Sequence, residues 1–167
     1  MTFTLAQFAA ACHDALVQEP GVAGRERIRA LLADTLKDEA FVATHLGDDV
    51  PERKILYEDP EFGFCILAHS YSDARASSPH DHGPSWAIYG QGRGETIMTD
   101  FERVEPAAPG RPGAARPVCD YALRPGMAHL YNEGDLHAPR RDAPTRLIRI
   151  EGQNLENVRR LAYRRVD

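Results

Sequence analysis

Two histidines one residue apart, His80-Asp81-His82, are the residues of this chain best suited to chemistry. In extended backbone, residues i and i+2 point to the same side, so both imidazoles can converge on one ion while Asp81 points away. Neutral imidazole is the commonest protein metal ligand, and two of them need only one or two more donors to fix a divalent cation. Spacing alone fits a solvated Ser/Pro/Gly-rich loop equally well, because seven histidines in 167 residues make one such pair unremarkable. Context favours a site. The apolar run Phe62–Ala68 precedes the pair, Ser85-Trp86-Ala87-Ile88-Tyr89-Gly90 follows it, and further histidines sit beside later strands.

The third donor must come from elsewhere in the chain. His13 and His45 lie in helical pattern, and His69 ends the strand before the pair. His137 closes Gly134-Asp135-Leu136-His137, a turn from which a side chain can reach in from a second strand. His129 falls within a strand pattern, as a lumen residue or one standing behind the ligands.

The elements that must position these groups follow from periodicity. Leu5, Phe8, Ala9, Cys12 and Leu16 recur at helical spacing, with Thr4 and Gln7 as a capping box and Pro20-Gly21 as a stop. A second helix runs through Ile28, Leu31, Leu32 and Leu36, and a short third through Phe41, Val42 and Leu46, with Gly47 as its C-terminal cap. From Pro51 the period changes. Strands are expected at Lys54–Glu58, Phe62–Tyr71, Trp86–Tyr89, Glu95–Val104, Val118–Leu123, Met127–Tyr131 and Thr145–Glu151. Pro106–Pro117 reads as a surface loop, and the tail Asn157–Asp167 as either an edge strand or a helix. The chain is thus expected to be a single domain, 1–167, with N-terminal helices over 1–47 and a β-barrel over 51–167.

Composition bounds the partners. A net charge of −5, with no block of basic residues, argues against nucleic acid, and no apolar stretch reaches membrane-spanning length. Cys12, Cys65 and Cys119 are odd in number and lack CxxC spacing, so they are expected to be reduced core thiols of a cytoplasmic protein.

Taken together, Ser78-Pro79-His80-Asp81-His82 with the strand after it, Gly94–Phe101, and Gly134-Asp135-Leu136-His137 followed by Ile148–Leu155 resemble the cupin superfamily. Within it, they resemble the thiol dioxygenases of the cysteine dioxygenase and mercaptopropionate dioxygenase types. The resemblance covers roughly Arg53 to Leu155. It implies a mainly β fold, the cupin double-stranded β-helix or jelly-roll barrel, with an N-terminal helical segment. It also implies an Fe(II) site made by His80, His82 and His137, with a small thiol acid and O2 as partners. Arg53 is the candidate for the carboxylate-binding arginine of that family.

The departures from the family are specific. The common cupin glutamate ligand would fall at Trp86 or Ala87, so no carboxylate is supplied. Three neutral imidazoles leave the full charge of the ion to attract an anionic ligand such as a thiolate. Leu147, Arg149 and Glu151 occupy the places of the family's Ser-His-Tyr relay, and Ala87 that of its crosslinking cysteine. Arg149 and Glu151 share one strand face, as a lumen ion pair or as solvent-facing residues. Tyr89 and Tyr131 are candidates for the missing hydroxyl.

The leading expectation is an Fe(II)-dependent dioxygenase that oxidises a small thiol-containing carboxylic acid to its sulfinate. The alternatives are a three-histidine zinc-type hydrolase or hydratase and a non-catalytic metal- or small-acid-binding module. Zinc or nickel are the other metals considered, and the expected state is a monomer or homodimer.

Overall fold

The three N-terminal helices exist to cover one face of a sheet. The computed structural model describes residues 3–167. The helices are α1 (Leu5–Gln18), α2 (Val22–Thr35) and α3 (Glu39–His45). The Thr4 hydroxyl accepts from the Gln7 amide at 3.2 Å, and the Gln7 side chain accepts from the Thr4 amide at 3.0 Å, forming the expected capping box. Gly21, at φ 84°, turns the chain between α1 and α2. Gly47 directly follows Leu46, the C-cap of α3, but it is not at positive φ and so makes no left-handed cap.

Ten strands follow: β1 (Lys54–Glu58), β2 (Cys65–Tyr71), β3 (Arg75–Ala76), β4 (Ala87–Arg93), β5 (Thr96–Glu105), β6 (Gly113–Leu123), β7 (Ala128–Tyr131), β8 (Leu136–Arg141), β9 (Thr145–Glu151) and β10 (Tyr163–Arg165). They form two five-stranded sheets, ordered β1-β2-β9-β4-β7 and β10-β6-β5-β8-β3. All pairings are antiparallel except that of β10 with β6. This is the mainly β jelly-roll with an N-terminal helical segment that the sequence predicts.

Alternation sorts the first sheet into two environments. Ile66, Ile88, Ile148 and Ile150 face the helices and pack with Phe8, Ile28, Leu32 and Leu46. Their neighbours Ala87, Tyr89 and Tyr131 face the lumen with Met98 and Leu123. Being buried on both sides explains why the Phe64–Ala68 run is apolar without alternation. Gly90 lets the helices approach: a Cβ there would lie 2.6 Å from side-chain carbons of both Leu32 and Leu36.

Two sequence expectations need correction, and one left open is decided. Gly113–Pro117 belongs to β6 rather than to a loop, and the β5–β6 register shifts between Asp100 and Phe101, the latter opposite Pro117. The tail resolves as a strand, since Tyr163–Arg165 pairs in parallel with Gly113–Ala115. Cys12 and Cys65 are buried thiols, but Cys119 is exposed. Among the described residues, no helix is long and apolar enough to cross a membrane.

Candidate metal centre

The His80–His82 segment is not a regular strand. It is extended chain held by one isolated bridge, in which the His80 amide donates to the His137 carbonyl and the His137 amide to the His80 carbonyl, each at 3.0 Å. Gly134, at φ 83°, makes the turn that delivers His137 into the start of β8. Two segments 57 positions apart in the chain are thereby locked side by side, and His80, His82 and His137 each offer a nitrogen within 4.8 Å of the others. Asp81 points elsewhere, accepting from the Gly83 amide at 3.0 Å and pairing with Arg103 at 3.3 Å.

The proton positions favour metal binding. His80 Nδ1 lies 2.9 Å from the Ser78 carbonyl, and His137 Nδ1 lies 2.9 Å from the Asp135 carbonyl. A carbonyl only accepts, so each Nδ1 carries the hydrogen and each Nε2 keeps its lone pair. Burial pushes the His80 pKa down to about 4 and holds those of His82 and His137 well below the ordinary value. All three rings are therefore neutral near pH 7, the state a ligand needs. His82 Nδ1 is buried without any hydrogen-bond partner. Three converging neutral imidazoles fit a divalent cation, and the group could hold one.

Tyr89, on β4, brings a hydroxyl to the same place. Its oxygen lies 3.0 Å from His82 Nε2 and 3.5 Å from His137 Nε2. Burial raises its pKa, so the phenol keeps its proton. Tyr131 stacks on the His137 ring at 3.9 Å, and its hydroxyl lies 2.5 Å from that of Tyr121, which donates to Asp100 at 2.9 Å. His129 packs against the Tyr121 and Tyr131 rings, at 5.0 and 4.6 Å, behind the histidine group rather than in it.

Arg149 and Glu151 both face the lumen. The Arg149 guanidinium lies 4.8 Å from the Tyr89 ring, and its Nε is 3.3 Å from Glu151, which is 1% exposed. Glu151 also takes Arg53 at 3.2 Å and the Leu155 amide at 2.9 Å. The Arg53 fork is further engaged by Asn154 at 2.8 Å and Glu156 at 3.0 Å. Arg53 therefore does not line the cleft beside the histidines, and its groups are committed to protein acceptors.

That cleft has a volume of about 440 Å³, and its walls include His80, Tyr89, Tyr71, Arg141, Arg149 and Arg160. Sequence reasoning missed Arg141. A signal was present: His137, Pro139 and Arg141 are spaced by two along β8, and all three are buried while Arg140 is exposed. Pro139 and the paired arginines had hidden the strand.

No family model matches the chain, and no curated protein matches it in sequence. Among solved structures it is similar to a cupin superfamily protein of Desulfitobacterium hafniense, at 15% identity over 59% of this chain and 72% of that one, with a TM-score of 0.43. KdgF from a Halomonas species is similar at 17% identity over 59% and 74%, with a TM-score of 0.45. An oxalate oxidase in complex with the substrate analogue glycolate is similar at 13% identity over 55% of this chain and 42% of that one, with a TM-score of 0.41. These likenesses are of fold.

Proposed function

We propose that the chain is a dioxygenase that oxidises a small thiol-bearing carboxylic acid to its sulfinate with O2, using Fe(II) held by His80, His82 and His137. The observation that carries this reading is the all-imidazole donor set, with ligand atoms within 4.8 Å and no carboxylate among them. The overall change balances as one thiol plus one O2 giving one sulfinic acid, with both oxygens on sulfur. A ferrous ion held there would supply the redox chemistry for that transfer, and the neutral donor set would leave its charge available to a thiolate.

The chain's own residues do the rest. The Ser78 and Asp135 carbonyls fix the His80 and His137 tautomers and aim their rings. Tyr89, protonated and beside His82 and His137, takes the place of the hydroxyl that the relay positions Leu147, Arg149 and Glu151 no longer provide. Held at that point, its O–H can donate to a ligand's developing negative charge without prior reorganisation. Arg149 sits over the Tyr89 ring and adds a positive field to the cleft.

The test is oxygen uptake by iron-loaded protein, prepared anaerobically, across a panel of thiol acids. Thiol-dependent uptake with sulfinate formation supports the reading, and none across the panel sinks it. Hydrolytic activity that persists with zinc and needs no oxygen would move the site to metal-hydroxide chemistry.

A further inference from the structure

Arg141 is a buried charge without an ion-pair partner among the described residues. It is 5% exposed, and its guanidinium has no hydrogen-bond acceptor and no carboxylate partner among the described residues. It lies 4.4 Å from the Tyr71 ring, and its Nε is buried and unpartnered. A guanidinium carries five N–H donors in a planar fork matched to an oxyanion. A desolvated cation with no acceptor is costly to keep, and it is tolerated where a ligand supplies the counter-charge.

Its surroundings do not supply one. Arg75, opposite Arg141 in the β3–β8 register, is paired with Glu52. Arg149 shares Glu151 with Arg53, and Arg53 also takes Glu156. Arg160, on the cleft wall, makes no ion pair among the described residues. Of the four arginines that line the cleft, Arg75 has Glu52 and Arg149 shares Glu151, so Arg141 and Arg160 are left without a carboxylate among the described residues. Burial, together with the neighbouring charges of Arg149 and Arg75, pushes the Arg141 pKa down, as an uncompensated cation requires. His137, Pro139 and Arg141 lie on one face of β8, and the cleft that Arg141 lines also reaches His80 of the histidine group.

We propose that Arg141, with Arg149, is the anion-recognition site of this cleft and that its ligand is a compact dianion, a dicarboxylate or an equally charged oxyanion. A cleft of about 440 Å³ seats a small metabolite rather than a polymer. This deepens the dioxygenase reading and rests on it only for the thiol: the substrate would be a thiol acid with two negative charges, its anionic end on Arg141 and its sulfur toward the histidines.

The experiment is calorimetric titration of metal-free protein with succinate, butyrate and inorganic phosphate at matched ionic strength. Succinate, or phosphate, is expected to bind at least tenfold more tightly than butyrate. Arg141→Met is expected to weaken that binding at least tenfold without lowering the Tm of the ligand-free protein. Arg141→Lys, which keeps the charge but loses the fork, is expected to fall between the two and covers the case in which the methionine variant does not fold. Phosphate outcompeting succinate would assign the dianion to a phosphate group. Equal binding of succinate and butyrate, absence of binding by all three, or unchanged affinity in folded Arg141 variants would overturn the proposal. Neither metal nor turnover enters these measurements, so they stand apart from the oxygen-uptake test.

Discussion

Replacing Glu151 by alanine should be among the most damaging single changes in the barrel, because the carboxylate holds two arginines and a backbone amide together inside it. Glu151 is 1% exposed, pairs with Arg149 at 3.3 Å and Arg53 at 3.2 Å, and accepts from the Leu155 amide at 2.9 Å. Removing one partner of a buried ion pair strands the other and costs about 3–5 kcal/mol. Arg53 and Arg149 keep 23% and 14% of their side chains exposed, so solvent relieves part of this and the lower end applies. For a domain of this size, about 3 kcal/mol corresponds to a Tm lower by roughly 6–12 °C. Equilibrium urea unfolding of Glu151→Ala, with Glu151→Gln as the isosteric control, measures it. Glutamine keeps an acceptor for Leu155 and should cost less. Adding Arg149→Met to Glu151→Ala should recover part of the loss, because the stranded cation goes with it. A loss below about 1 kcal/mol in Glu151→Ala, or no recovery in the double variant, would refute the reasoning.

Three further outcomes follow from the same structure. Tyr89→Phe should retain metal but lower thiol-dependent oxygen uptake by about a hundredfold, the scale of a lost proton donor; unchanged turnover would remove the phenol from the mechanism. Gly90→Ala should cost about 1–3 kcal/mol in urea unfolding, since the added methyl meets Leu32 and Leu36 at 2.6 Å; a neutral result would mean that the helix–sheet contact is loose. Burial, followed by the charges of Arg149 and Arg53, lowers the His69 pKa from 6.5 to about 3. A depressed folded-state pKa gives stability that is present above pH 6.5 and lost as pH falls toward 3. His69→Leu should therefore flatten the fall in stability between pH 6.5 and 4, and an unchanged slope would contradict this.

Much of the site was legible because its geometry is local. The His80–His82 spacing and the Gly134 turn before His137 are short-range signals, and the structure brings these three side chains together. The helices were legible from the stripe of Phe8, Cys12, Ile28 and Leu32, which packs on the sheet. The rest depends on pairing, which periodicity does not encode. Gly113–Pro117 lacks strand formers and becomes a strand because β5 and β10 flank it. The sequence offers Tyr89 as a hydroxyl candidate, but only the register of β4 between β7 and β9 aims it at the histidines. Arg53 and Arg141 divide roles by topology. β1 is the edge strand of its sheet, where Arg53, just before it, meets Glu151 and Glu156, whereas β8 runs from the histidine bridge along the cleft.

The central claim is that His80, His82 and His137 together hold one metal ion. Elemental analysis of protein purified without chelator, repeated after ferrous loading under anaerobic conditions, tests it directly alongside the His137→Ala variant. The account predicts about one divalent ion per wild-type chain and loss of most of it in a variant that remains folded by circular dichroism. Equal metal content in the two proteins would contradict it.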